Sequence, residues 1–429
     1  MADYWLLLPL IWMPAANSQT PPPSPQPSPP PSMPPPLMGL HLSGDSAKVH
    51  FGPNMECTLE LVPGPPAYLA SNCPINAPPP APSSPPPPPP PPSRPPSEPP
   101  PPPLFLYSAH RDDPGGTVLR YDPTTDSFVS HSSTLNTQCG AVSGATVLDD
   151  YMYVLGGWQV GANWASSNDN FKRLSLADFE SAPAAWEDLT SPTYSYPGVT
   201  GTQGGMMAAF NGLVWVMGGR LFDGAVNKAL FSSDVFAYDP STSQFSTKAS
   251  LNLGRQYFRT AVLDGFLYVL GGAGHGGTDM RTDTAEMYDP SKDQWTYIAD
   301  IPSSDPGVIE GFGCVAYSGR IYIYAGQDAT NSAWPNYYYS RSIHFYSPDS
   351  NTWTTLAATH NVPSDIVALT GFGYAVSGSQ MYLFGGRYGA PGTGDTTWNY
   401  VTWYYDIEAG TWHQVGDMPS LVYLEYTVQ

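Results

Sequence analysis

The chain has 429 residues, and 37 of its 51 prolines precede Leu104, so only the 326 residues from there onward are composed to bury a large core. The formal net charge is −20, of which −17 lies from Leu104 onward. A surface that negative repels phosphate backbones and excludes a nucleic-acid partner, leaving basic ligands, cations and neutral sugars open. Four cysteines are too few for a disulfide-built scaffold.

Taken in chain order, residues 4–16 (YWLLLPLIWMPAA) form an apolar run of signal-peptide length, too short to span a bilayer. Ala16-Asn17-Ser18 supplies a small-x-small cleavage pattern, which makes residues 1–18 a signal peptide and Gln19 the mature start. Asp3 and two interrupting prolines, Pro9 and Pro14, depart from the usual pattern and keep a cytoplasmic location as the alternative. No other run approaches the roughly 20 apolar residues of a membrane helix, so no membrane span is expected.

Residues 19–36 and 78–103 are proline-rich, with eight consecutive prolines from Pro85 to Pro92. Proline fixes φ and donates no backbone hydrogen bond, so these tracts are expected to be disordered or in polyproline II. The second would reach roughly 80 Å at ~3.1 Å per residue, a semi-rigid stalk. Between them, residues 37–77 form a small segment of unknown fold with two cysteines, Cys57 and Cys73, which could pair in an exported protein. The Ser-Pro-Pro repeats resemble those of plant and algal hydroxyproline-rich wall glycoproteins such as extensins and pherophorins. That resemblance implies a glycosylated stalk in an extracellular matrix or cell wall. An intracellular protein would instead offer the same tract to polyproline-binding domains.

Beyond Leu104 the sequence repeats. An apolar strand ending in two glycines recurs at Gly156-Gly157, Gly218-Gly219, Gly271-Gly272 and Gly385-Gly386, with Ala325-Gly326 as a degenerate copy. A second element, Tyr-Asp-Pro, occurs at Tyr121, Tyr238 and Tyr288, with variants at Tyr346 and Tyr405. Each has an aromatic seven residues on: Phe128, Phe245, Trp295, Trp353 and Trp412. This reads as a hairpin, with Asp-Pro nucleating the turn and both aromatics on one face of the paired strands. The glycine pairs allow positive φ where sheets crowd together. The second repeat lacks Tyr-Asp-Pro and has only Trp186; the first lacks its glycine pair and starts directly at Leu104.

Strand, glycine pair, strand with Tyr-Asp-Pro and strand with tryptophan, at a period near 50 residues, resembles the Kelch/galactose-oxidase propeller superfamily from Leu104 to the C-terminus. The resemblance implies an all-β fold: a six-bladed Kelch-type β-propeller over residues 104–429. The first blade lacks an inner strand on its N-terminal side, and the strand-like segment 421–428 (LVYLEYTV) is expected to supply it and close the ring.

A propeller does not dictate an activity. The galactose-oxidase-like copper radical oxidases need an adjacent Tyr-His pair, and none of the eight histidines directly follows a tyrosine. The Glu-x3-Asp-x3-His iron pattern of nitrile-specifier proteins is missing too, as are Ser-His-Asp, CxxC and phosphate-loop motifs. No catalytic residue, cofactor or metal site is therefore assigned. Cys139 and Cys314 appear to hold equivalent places in the inner strands of blades two and five, as buried thiols. The resemblance places ligands over the central channel, held by two groups of residues. Those after the glycine pairs are Trp158, Arg220, His275, Gln327, Arg387 and Tyr388; those just before the inner strands are Gln138, Gln203, Arg255 and Glu310. The expectation is a non-catalytic, secreted binding module for a matrix or wall glycan or a protein. The alternatives are a carbohydrate-acting enzyme of the galactose-oxidase-like superfamily and an intracellular Kelch adaptor.

Overall fold

A computed structural model describes the strands Leu40–Ser43, Ser46–His50, Glu56–Val62 and Tyr68–Ser71, by backbone. It further describes residues 101–110, 113–132, 144–156, 170–177, 179, 186–189, 204–223, 228–274, 282–302, 308–328, 339–364, 366, 371–389 and 396–419. Within these, backbone alone is described at 108–110, 113–116, 131–132, 222–223, 228–230, 308–310, 327–328, 387–389 and 396–399. The chain divides into two compact units, Met1–Pro95 and Pro96–Gln429.

In the first unit the four strands pair in sequence as an antiparallel meander. The segment that the sequence left without a fold is therefore a small sheet. Cys57 lies on its third strand, opposite Val49. Cys73, residues 1–18 and both proline tracts up to residue 100 lie outside the described residues.

The second unit is a six-bladed propeller. Blade one has three described strands, Leu104–His110, Asp113–Asp122 and Ser127–Ser132. Blade two holds Gly144–Leu148, Tyr151–Leu155, Phe171–Ser175 and Glu187–Leu189. Blade three is built from Met206–Phe210, Leu213–Met217, Val235–Asp239 and Gln244–Thr247. Blade four follows with Arg259–Leu263, Phe266–Leu270, Ala285–Asp289 and Gln294–Ile298. Blade five comprises Gly313–Tyr317, Arg320–Tyr324, Ile343–Ser347 and Thr352–Thr355. Blade six is formed by Gly373–Ser377, Gln380–Gly389, Thr396–Asp406 and Thr411–Val415. Each is an antiparallel meander running from the channel outward. The second strands are buried over nearly their whole length, since both faces of every blade are covered by neighbours. Apolar clusters bridge each junction. Trp215 and Met217 meet Leu267, Tyr288 and Trp295 between blades three and four, while Tyr382, Phe384 and Tyr404 meet Leu104, Leu106 and Tyr121 between six and one.

The Tyr-Asp-Pro repeat does more than make a hairpin. In five blades the tyrosine lies directly across from the aromatic seven residues on, with ring centroids 4.7–5.4 Å apart. The Tyr121, Tyr288 and Tyr346 hydroxyls donate to Asp126, Asp293 and Asn351 at 3.0, 2.8 and 2.9 Å. These three residues hold the left-handed turn position, which Asp and Asn tolerate. The same side chains accept a peptide N–H from the preceding blade: Ala249 onto Asp293 at 3.0 Å, Ala299 onto Asn351 at 2.8 Å, and Gly416 onto Asp126 at 2.9 Å. Trp295 and Trp353 then donate to the carbonyls of Ala249 and Ala299, both at 2.9 Å. One peptide unit is thus gripped at both ends, tying one blade to the next.

Blade six achieves this differently. Its turn residue is Gly410, where a Cβ would meet the His360 ring at 2.9 Å. His360, arriving from blade five, pairs its Nδ1 with the Tyr405 hydroxyl at 2.7 Å, and its carbonyl accepts from Trp412 Nε1. The imidazole replaces the missing carboxylate.

Two sequence expectations on this unit are adjusted. Blade two's inner strand begins at Gly144, so Ala145, not Cys139, corresponds to Cys314; Cys139 lies outside the described residues. Cys314 is a buried free thiol, pushed up to about 12 by burial. The closing segment 421–428 also lies outside the described residues.

Candidate functional site

The glycine pairs end the second strands, and the segments preceding the inner strands sit at the same end of the blades. The backbone joins these two groups. In blade five, Val308–Glu310 pairs with Gln327–Asp328, setting Glu310 directly opposite Gln327. Blade four repeats the tie more briefly, with reciprocal Gln256 and Ala273 backbone bonds of 2.7 and 2.8 Å. In blade six the strands run on past the glycine pair as a bulged ribbon, with Arg387 opposite Trp398 and Tyr388 opposite Thr397. In blade three a separate hairpin, Arg220–Asp223 with Lys228–Phe231, rises from the pair. Each glycine pair therefore carries a short built-up rim.

Tight approach explains the glycines. Gly218 N accepts no side-chain substitute easily, because a Cβ there would lie 2.7 Å from the Arg255 carbonyl; Gly272, at φ 99°, would meet the Gln256 carbonyl at 2.5 Å. Only Ala325 departs, at φ 56°, a conformation costing ~1 kcal/mol or more for an L-residue.

A second positive-φ position marks each strand start: Gly204, Tyr257, Gly311 and Gly371, with φ between 57° and 67°. These align the repeats. The residue just before them is Gln203 in blade three, Gln256 in blade four and Glu310 in blade five. The sequence reading chose Arg255 in blade four, one residue too early. Gln256, itself buried, was the residue missed. The signal was the glycine shared by Gln203-Gly204 and Glu310-Gly311, which tyrosine hides at Tyr257.

Arg255 has an internal role. Its side chain is 0% exposed and pairs with equally buried Glu286 at 2.7 Å. It also donates to the carbonyls of Gly271 at 2.8 Å and Thr284 at 2.9 Å, and to Thr284 Oγ1 at 3.0 Å. Glu286 in turn accepts from the Asn252 and Leu253 peptide N–H groups at 2.7 and 3.2 Å. Burial lowers the guanidinium's affinity for its proton, and the Glu286 carboxylate opposes that shift. This cluster holds the glycine pair and the strand start at fixed spacing, so it shapes the rim from beneath.

Of the other expected ligand residues, Arg220 is half-buried at the base of the blade-three hairpin. Glu310, Gln327, Arg387 and Tyr388 lie on the rim by backbone position. Gln138, Trp158, Gln203 and His275 lie outside the described residues. Among the described residues no three His, Cys, Asp or Glu side chains gather as a metal site. No helix among them is long and apolar enough to cross a membrane.

The channel beneath the rim is narrow. A cavity of about 170 Å³ is lined by Ala145, Thr146, Ala208, Thr260 and Ala261, with Cys314 and Tyr374 on its wall. Arg259 lies behind that wall, donating to the Phe312 carbonyl at 2.8 Å and facing the Tyr374 ring at 5.3 Å. A larger cavity, about 780 Å³, opens at the opposite end of the blades. It is bounded by Leu104, Phe105, Val147, Phe179 and Val376, with Asp149 and Asp150 at the blade-two turn.

The Kelch motif matches residues 207–252, 254–302, 310–358 and 368–419. These spans fall on blades three to six, each joining one blade's inner strand to the clasp of the next. An F-box/kelch-repeat protein of Arabidopsis thaliana is 29% identical over 154 residues, covering 33% of this chain and 31% of that protein. Kelch-like protein 25 of Xenopus tropicalis is 26% identical over 214 residues, covering 48% and 31%. The chain thus spans about a third of the length of these two relatives. Among solved structures, that of YjhT superposes with a TM-score of 0.51 at 16% identity, covering 67% of this chain and 86% of that one, a likeness of fold alone. Repeat matches, blade topology and relatives together identify the unit beginning at Leu104 as a Kelch-repeat β-propeller.

Proposed function

We propose that this protein is a non-catalytic recognition module that holds a protein partner on the glycine-pair face of its propeller. The observation that carries this reading is the rim. The structure sets Glu310 opposite Gln327 and ties Gln256 to Ala273, so the two groups of face residues form one surface around the channel mouth. The buried Arg255–Glu286 pair stiffens it, as a preorganised recognition surface requires. The relatives bearing Kelch names support a binding module over an enzyme, and the net charge favours a partner with basic groups.

The proline tracts and apolar N-terminus extend the reading to an exported protein whose hydroxyproline-glycosylated stalk lodges in an extracellular matrix or wall. A matrix glycan is the second ligand class this location allows. The test is intact mass and N-terminal sequence of protein from its native source, followed by binding of that protein to matrix proteins and to matrix glycans separately. A Gln19 start with pentose or hexose mass, and saturable binding to a protein, supports the reading. A Met1 or Ala2 start with bare prolines removes export, and binding to glycan alone removes the protein partner.

A further inference from the structure

Blade one has three strands among the described residues, whereas the other five have four. Its first, Leu104–His110, is the counterpart of a second strand elsewhere. It pairs with the Tyr-Asp-Pro strand, setting Leu104 opposite Tyr121, just as Leu267 lies opposite Tyr288 in blade four. Its other edge faces the channel between the inner strands of blades six and two. The 780 Å³ cavity lies at one end of that position, bounded by Val376 and Val147, the fourth residues of those two inner strands.

The chain that would reach this edge can be followed by a recurring anchor. After each outer strand, one buried residue returns its N–H to the start of its own blade's third strand. Leu251 donates to the Ser233 carbonyl, Ile301 to Asp283, Val362 to Arg341 and Met418 to Tyr400, at 2.8–2.9 Å. From the first three, the chain proceeds to the next blade's inner strand, opening at Arg259, Gly313 and Gly373. The fourth anchor already touches blade one. Met418 is packed in the cluster of Leu104, Leu106, Leu119 and Tyr121, and Gly416 N–H is held by Asp126.

We propose that Tyr426-Thr427-Val428-Gln429 is the inner strand of blade one, in the register that the Leu251-to-Arg259 spacing sets from Met418. Transferring the blade-four pairing, in which Arg259 lies opposite Leu270 and Val262 opposite Leu267, places Tyr426 opposite Tyr107, Thr427 opposite Leu106, Val428 opposite Phe105 and Gln429 opposite Leu104. This shifts the strand toward the end of the β-prone segment 421–428 and assigns residues 420–425 to the crossing. The intermolecular alternative, a strand donated by a second copy, is one outcome of the test.

Cysteine pairs test the register in the full chain. Val428→Cys is combined with Phe105→Cys, and Thr427→Cys with Leu106→Cys, since one of two adjacent cross-strand positions has the closer ~4.5 Å spacing that a disulfide fits. Val428→Cys with Val129→Cys, on blade one's outer strand, is the control. After mild oxidation, peptide mapping reads the link. A link in one register pair, within a single molecule and at least tenfold over the control, is the expected result. Links only between molecules, or equal yields in the control, overturn the assignment. A second measurement avoids the mutated core. A chain ending at Ser420 should bind a fluorescent peptide of residues 421–429, while the full chain does not. A peptide bound equally by both, or by neither, contradicts the proposal.

Discussion

The clasp between blades makes a quantitative prediction at Asp293. Its carboxylate accepts the Ala249 N–H at 3.0 Å and the Tyr288 hydroxyl at 2.8 Å, while Trp295 holds the other end of the Ala249 peptide. Asp293→Ala removes both acceptors and leaves the Tyr288 hydroxyl, in a residue only 3% exposed, without its partner. A charge-assisted bond at an exposed turn, discounted for solvent, and a stranded hydroxyl together cost about 2 kcal/mol. Urea unfolding followed by tryptophan fluorescence measures this directly, and Tm should fall by about 4 °C. Asp293→Asn should lose much less, because Asn351 fills the same role in blade five. Acid provides the sign. The Ala249 N–H and the Tyr288 hydroxyl lower the carboxyl below its ordinary value. Its contribution is therefore complete above that ordinary value and disappears as pH falls through the folded one. The gap between the native protein and Asp293→Ala should narrow in acid. An Asp293→Ala protein within about 0.5 kcal/mol of the native one at neutral pH, the range of an ordinary surface change, would refute the clasp.

Three further outcomes follow from the same structure. Ala325→Gly should stabilise the propeller by about 1 kcal/mol, since φ 56° suits glycine at every other pair; a lower Tm would show that the alanine methyl packs instead. Arg255→Met should cost roughly 3–5 kcal/mol by stranding buried Glu286, and the double change with Glu286→Leu should recover much of it in a thermal melt. His344 is 2% exposed, and burial drops it from 6.5 to about 4. The unfolded chain then binds the proton first, so stability is full above 6.5 and lost progressively down to about 4, by roughly 3 kcal/mol. His344→Gln should flatten that part of the pH–Tm profile.

Much of the fold was legible because the repeat carries its own chemistry. Tyr-Asp-Pro with an aromatic seven residues on dictates a tight turn and a cross-strand pair, and Tyr288 and Trp295 meet as that spacing requires. What the pattern could not show is where those side chains reach next. The grip of Asp293 on Ala249 joins residues 44 apart, and His360 replacing a turn carboxylate at Gly410 leaves no trace in the repeat itself. The face was legible at coarser grain. Glu310 and Gln327 were chosen from two separate rules and lie opposite each other. Arg255 was chosen by charge, and charge misled, because a guanidinium with a buried glutamate partner serves as scaffold. The meander at 40–71 was illegible because its short strands have no repeat to amplify them.

The central claim is that the glycine-pair face holds a protein partner. Site-specific photocross-linking compares the two ends of the blades in native extract. One probe stands at Arg220 or Gln327 on the rim, and another at Asp150 on the blade-two turn by the opposite cavity. The account predicts one protein captured from the rim probes, displaced by excess unlabelled chain, and not captured from Asp150. Capture of the same protein from Asp150 alone, or equally from both ends, would contradict it.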